Sequence, residues 1–133
     1  MQVKNRILFD ASALLTIIQQ EKGIELLENV ASQAIINSVN YSEVISVLIR
    51  KGMPQEIALD TISSSITEVI PFLRVEAELA GKMISETSKL GLSFGDRACL
   101  ATGLLYGLEI YTTDTTWKEL NLKGLKLKLV HNN

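Results

Sequence analysis

Apolar positions recur along this chain in two alternating rhythms. Arg6-Ile7-Leu8-Phe9 is a short apolar run that predicts a buried strand. From Ala11 to Gln20, residues Ala13, Leu14, Ile17 and Ile18 fall on one helical face. Gly23 breaks that helix, and Ile24 to Val30 reads as another. Ala34-Ile35-Ile36-Asn37 predicts a second strand. Ser38 to Lys51 is helical, with Val44, Val47 and Leu48 on one stripe, and ends at Gly52. Pro54 suits the first turn of a further helix running to about Ile66. Val69-Ile70-Pro71-Phe72-Leu73 predicts a strand, which Pro71 assigns to an edge because it cannot donate to a ladder.

The second half repeats the alternation. Val75 to Leu90 predicts one helix with Leu79, Met83 and Ile84 inward, stopped by Gly91. Leu92 to Gly95 reads as a loop and Asp96 to Tyr106 as a compact apolar helix. Glu109 to Thr113 predicts a strand, Thr115 to Leu120 a short helix, and Leu125 to Val130 alternates as a half-exposed edge strand does. No repeat, low-complexity tract or linker interrupts this order. The fold class expected is therefore α/β: a single domain over residues 1–133, with a mostly parallel central sheet flanked by helices on both faces.

Composition narrows the function classes. The 133 residues carry 47% apolar and 21% charged side chains, which suits one globular core. The 13 basic and 15 acidic residues leave a net charge of −2, too little positive field to coat nucleic acid loosely. One cysteine (Cys99) and one histidine (His131) exclude an intramolecular disulfide and are too few for a Cys/His zinc site. No apolar run reaches the ~20 residues that span a bilayer, so no membrane role is expected. Asp10 interrupts the first apolar stretch, which argues against a secretory leader and for a cytoplasmic location.

In a parallel sheet, ligands bind outside the carboxyl ends of the strands. Asp10 and Asp114 follow predicted strands, Asp96 opens the helix before the last-but-one strand, and Glu43 lies early in the helix after the second. Each acid has a plainer reading. Asp10 and Asp114 suit N-caps, Asp96 with Ser93 resembles a capping box, and Glu43 suits a solvated helix face. Caps do not explain why all four share one rim. Two carboxylates ~4 Å apart repel by about 4 kcal/mol at an effective dielectric near 20. The sequence offers only Arg97 as an adjacent cation. A hard divalent ion, Mg²⁺ or Mn²⁺, balances such oxygen ligands and promotes phosphodiester hydrolysis.

The stretches Leu8-Phe9-Asp10-Ala11-Ser12-Ala13-Leu14, Asn37 to Val44, Leu92 to Ala101 and Tyr111-Thr112-Thr113-Asp114-Thr115-Thr116-Trp117 together resemble PIN-domain ribonucleases. Within that family they look most like VapC-type toxins of toxin–antitoxin modules. Any one motif is weak, but four in order are specific. The resemblance implies a Mg²⁺- or Mn²⁺-dependent endoribonuclease acting on RNA. It carries the catalytic and metal-binding roles onto Asp10, Glu43, Asp96 and Asp114, with Ser12 supporting the first acid. It also implies a homodimer and inhibition by a small VapB-type antitoxin. Trp117 departs from the Phe frequent at that place.

Two other functions stand beside this one. A phosphatase or receiver-like domain normally ends its first strand in paired acids, whereas Asp10 is followed by Ala11-Ser12. A non-catalytic PIN-like scaffold normally loses acids, and all four are kept. Arg97 reads slightly better as the partner of a neighbouring acid than as a phosphate contact. Arg50, Lys51, Lys82 and Lys89 read as solvated faces. Lys123, Lys126 and Lys128 read as guards of an edge strand, Cys99 as core, and His131 as terminal. No aromatic cluster indicates a base-stacking platform. The helices carrying Leu14, Leu15, Ile17 and Ile18, and Val44 to Ile49, are apolar on more than one face, which suits burial or a dimer or antitoxin surface.

Overall fold

Five strands form one all-parallel sheet: β1 (Ile7–Phe9), β2 (Ala34–Asn37), β3 (Glu68–Ile70), β4 (Glu109–Thr112) and β5 (Lys126–Leu129). Their order is β3-β2-β1-β4-β5. The computed structural model describes residues 6–19 and 24–130, so Gly23, His131 and the leader reading of Met1–Asn5 lie outside the described residues. The chain builds outward from β1 to β2 and β3, then returns to add β4 and β5 on the other side. β1 and β4 thus flank the point where strand order reverses, the place where open α/β sheets form a crevice. Asp10 follows β1 and Thr113-Asp114 follows β4, so both border that crevice.

Strand alternation divides the core in two. Ile7, Phe9, Ala34 and Ile36 point to one face and are buried with Leu14, Val44, Leu48, Ala58 and Ile62. These come from α1 (Ala11–Gln19), α3 (Ser38–Arg50) and α4 (Gln55–Ser63). Leu8, Ile35 and Ile110 point to the other face. They pack with Ala80, Met83, Cys99, Leu100 and Trp117, carried by α5 (Arg74–Lys82), α7 (Phe94–Tyr106) and neighbouring segments. α2 (Ile24–Val30) leads through a 3₁₀ turn into β2. Leu15, Ile17, Ile18 and Ile45 pack partly buried on the first cluster, so burial accounts for most of the two-faced apolarity of α1 and α3. Among the described residues no helix is long and apolar enough to cross a membrane.

The edges agree with the sequence pattern. β3 is an outer strand and ends before Pro71. On β5, Lys126 and Lys128 are exposed while Leu127 and Leu129 are half-buried, which is how a charged edge resists pairing with other chains. Three expectations need correction. The helix expected over Val75–Leu90 is broken into α5, α6 (Ile84–Thr87) and a 3₁₀ turn at Ser88–Leu90. The breaks keep Met83 and Thr87 buried while Ile84 stays half-exposed rather than inward. α4 stops at Ser63, short of Ile66, where the Ser64 and Ser65 hydroxyls bond back to the carbonyls of Asp60 and Thr61. Finally, α7 begins at Phe94, because Ser93 and Asp96 form a reciprocal capping box that draws Phe94 and Gly95 into the helix.

Candidate active site at the carboxyl edge of the sheet

Asp10 is the most buried of the four acids, with 4% of its surface exposed. Its Oδ1 accepts from the Ser12 hydroxyl at 2.7 Å and the Ala13 N–H at 2.8 Å. Its Oδ2 accepts a short bond, 2.5 Å, from the Thr112 hydroxyl. These donors arise from local structure. Asp10 stands at the start of α1, where the first-turn N–H groups lack helical partners. Parallel pairing brings Thr112, at the end of β4, alongside. Burial pushes the Asp10 carboxyl up from 3.8 to about 6; the three hydrogen bonds oppose the rise, and the charge of Asp96 adds to it.

Thr112 joins the two sides of the crevice. It is fully buried, donates to Asp10 and accepts from the Asp114 N–H at 3.1 Å. The Ser12 hydroxyl lies 3.3 Å from Thr112 Oγ1 and accepts from the Thr113 N–H at 3.0 Å. Ser12 and Thr112 therefore both hydrogen-bond Asp10, one to each carboxylate oxygen. The sequence signal for Thr112 was a polar residue ending an otherwise apolar strand beside Asp114.

Glu43 is held from its own helix. The Asn40 amide donates to Glu43 Oε1 at 2.7 Å and to the Gly95 carbonyl at 3.0 Å. Asn40 is itself fixed by Asn37, whose side-chain oxygen accepts the Asn40 N–H at 2.8 Å as the cap of α3. Gly95 makes the close approach feasible: a Cβ there would sit inside the Glu43 carboxylate. Glu43 is consequently tied to the start of α7 instead of lying on a solvated face. Asn40 precedes Glu43 by three residues, a spacing at which helical side chains meet, and that was the signal available in the sequence.

Asp96 and Asp114 fill the capping roles that their spacing suggested. Asp96 Oδ2 accepts the Ser93 N–H at 2.9 Å. Asp114 Oδ1 accepts from the Thr116 N–H at 3.0 Å and its hydroxyl at 2.8 Å, heading the 3₁₀ turn Thr115–Glu119 that buried Trp117 anchors. In each case one carboxylate oxygen has no partner among the described residues: Asp96 Oδ1 and Asp114 Oδ2, like Glu43 Oε2.

Three of the acids act on one interior point. The thiol of buried Cys99 is pushed well up, by burial first and then by the charges of Asp10, Asp96 and Glu43. The ion pairs found among the described residues, Arg6–Glu68 at 3.1 Å and Arg74–Glu78 at 2.9 Å, involve none of the four. The reading of Arg97 as an acid's partner is corrected. Its guanidinium donates to the Ala80 carbonyl at 3.4 Å and lies 5.8 Å from the Phe94 ring centroid. Among the described residues no cationic side chain pairs with the four acids. The donors are hard oxygens with lone pairs to spare, which fits a divalent ion. As the side chains stand, no three Asp, Glu, His or Cys groups among the described residues close around one point. Holding an ion would require rotation of carboxylates now engaged as caps.

Comparison with solved structures finds the same fold repeatedly. A toxin–antitoxin complex from Klebsiella pneumoniae is 22% identical with a TM-score of 0.68, over 90% of this chain and 94% of that one. DNA-bound VapBC from Salmonella typhimurium is 18% identical with a TM-score of 0.71, over 92% and 96%. Mycobacterium tuberculosis VapC20, a toxin that cleaves the sarcin–ricin loop, is 13% identical with a TM-score of 0.71, over 90% and 98%. A search of curated proteins gives no match. The PIN domain family model matches residues 7–122, most of the 133-residue chain and all four acids with it, and the chain belongs to the PIN domain family.

Proposed function

We propose that this PIN domain is a divalent-metal-dependent endoribonuclease, the VapC-type toxin of a toxin–antitoxin pair. The observation that carries the reading is Asp10: a buried carboxylate at the strand-order reversal, with Asp96 raising its proton affinity and no cation paired to it among the described residues. Asp10, Glu43 and Asp96 are assigned as ligands and catalytic residues, with Asp114 completing the set by turning its free oxygen inward. A bound Mg²⁺ or Mn²⁺ would supply Lewis-acid polarisation of a phosphodiester and a more acidic water. The chain's own part is positional. Ser12, Ala13 and Thr112 fix Asp10 from three directions, and Asn40 fixes Glu43 against Gly95. Preorganised carboxylates need no rearrangement during reaction.

The toxin assignment is supported by likeness in fold to the toxin chains of the Klebsiella and Salmonella complexes and to VapC20. From it follow a small VapB-type antitoxin as inhibitor and a homodimeric toxin. The experiment is cleavage of single-stranded RNA by the purified chain with Mg²⁺ or Mn²⁺ and with EDTA. Cleavage that needs the ion and is lost in Asp10→Asn and Asp96→Asn is expected. RNA cut equally well by both variants, or in EDTA, refutes the assignment. One observation favours a second reading, a partner-binding scaffold: the caps on Asp96 and Asp114 keep the acids from closing on one point. Calorimetric titration with Mn²⁺ separates the two, since a scaffold takes up no ion.

A further inference from the structure

Phe94, the first residue of α7, leaves 52% of its surface exposed although it lies within one helical turn of Asp96. Phe72 meets it edge-on, with ring centroids 5.9 Å apart and planes at 85°. Phe72 follows β3 at the same carboxyl edge, and its N–H donates to the Ser38 hydroxyl at 3.0 Å. Ser38 opens α3, the helix that carries Asn40 and Glu43. The aromatic pair is thus fastened on one side to the Glu43 helix and on the other to the Asp96 helix. Arg97 lies beside the ring at cation–π distance. Its Nε is buried without a partner, and its bond to the Ala80 carbonyl is long, 3.4 Å. This pair is the aromatic cluster that the sequence pattern did not reveal, because 22 residues separate its members.

We propose that Phe94, braced by Phe72 and flanked by Arg97, is a stacking ledge that seats a nucleobase of single-stranded RNA next to the bond to be cut. The inference rests on the ribonuclease reading and adds a substrate-positioning residue to it. An exposed aromatic ring offers a face on which any base stacks, and the guanidinium beside it puts a positive charge at that edge. The acidic crevice repels an RNA backbone, so a chain of net charge −2 needs local attraction close to the acids. An exposed ring paired with a guanidinium supplies it there. Exposed Leu73 and Val75 adjoin the same segment; a protein-docking face at this place is the competing outcome of the test.

The test uses the full chain, Phe94→Ala and Phe94→Trp, with short single-stranded RNA carrying 2-aminopurine. Binding is read by fluorescence quenching in EDTA, and turnover in Mg²⁺. Because Phe94 is half-exposed, alanine should fold as the parent does, which circular dichroism checks. Expected for Phe94→Ala are loss of quenching, weaker binding by about tenfold and a matching rise in KM with kcat little changed. Phe94→Trp should restore all three. Unchanged quenching and KM in Phe94→Ala, while the parent still cuts RNA, overturns the ledge and leaves the nuclease intact. Weaker antitoxin binding by the variant does not rescue the ledge in that case; it marks the patch as a protein-docking face instead. A parent chain that neither binds nor cuts RNA overturns both.

Discussion

Replacing Asp10 with asparagine should make the metal-free protein more stable, not less, and only above a definite pH. Burial raises the Asp10 carboxyl from 3.8 to about 6 despite three hydrogen bonds. A group whose folded value is raised gives its full stability below the unfolded value and loses it as pH rises through the folded one. The folded protein thus carries a penalty that grows between pH 3.8 and about 6 and then stays constant. At about 1.4 kcal/mol per pH unit the plateau is ~3 kcal/mol. Asparagine keeps an oxygen for Ser12 and Ala13, and the Thr112 hydroxyl can turn to accept from the new amide. Allowing for imperfect replacement, Asp10→Asn should gain about 1–2 kcal/mol at pH 7.5, or about 3–10 °C in Tm for a domain of this size. At pH 4.5 the ionisation penalty is only about 1 kcal/mol, so the gain should vanish or reverse slightly. Differential scanning fluorimetry of both proteins in EDTA across this range measures it. Addition of Mn²⁺ should then raise the Tm of the parent more than that of the variant, because only the parent has the charge to hold the ion. A variant less stable than the parent at pH 7.5, or a difference independent of pH, would show that Asp10 is not an ionised, desolvated group.

Two other substitutions probe the supports. Thr112→Val removes the donor to Asp10 Oδ2 and the acceptor for the Asp114 N–H without changing volume. It should cost about 1–3 kcal/mol in urea denaturation. It should also raise the Asp10 carboxyl further, moving the acidic limb of the activity profile to higher pH; a limb that stays put or falls contradicts the role given to Thr112. Gly95→Ala puts a methyl where the Glu43 carboxylate rests, and the carboxylate is the flexible end of its side chain. Stability should change by less than about 1 kcal/mol while turnover falls about tenfold or more; parental turnover would show that Glu43 does not need its place beside Asn40.

Periodicity revealed the layers because β1 and β2 are buried on both faces and read as unbroken apolar runs, while β5 is exposed on one face and alternates. The runs at Ile7–Phe9 and Ala34–Asn37 could be little else. Helix ends were harder to see. The break at Met83 follows Gly81 by two residues, a weak helix former that the apolar stripe through Leu79, Met83 and Ile84 masked. Position at the strand ends pointed the acids to one rim; the charges of Asp10, Asp96 and Glu43 are all felt at Cys99, but no three of the acids close around one point among the described residues. Neutral partners escaped notice: Thr112 is brought to Asp10 by strand pairing over a separation of 102 residues, and Gly95 to Glu43 by helix packing. Charge announces itself in a sequence, whereas a hydroxyl or a missing Cβ matters only once topology supplies its neighbour.

The four acids are not equally strained, and the difference has a chemical consequence. Asp96 lies in the first turn of α7 and accepts the Ser93 N–H. Asp114 is bonded by Thr116, and Glu43 by Asn40. Each of these three has one oxygen bonded locally and the other without a partner among the described residues. Asp10 is desolvated beyond what its donors repay, and Asp96 adds to the burden. In the site proposed above, cation binding would therefore be driven chiefly by relief at Asp10. The caps on Asp96 and Asp114 oppose ligation, because those carboxylates must first turn away from the Ser93 N–H and from Thr116. Relief at Asp10 is the drive and the caps are the resistance, so the affinity of the proposed site for an ion is set by the difference between the two.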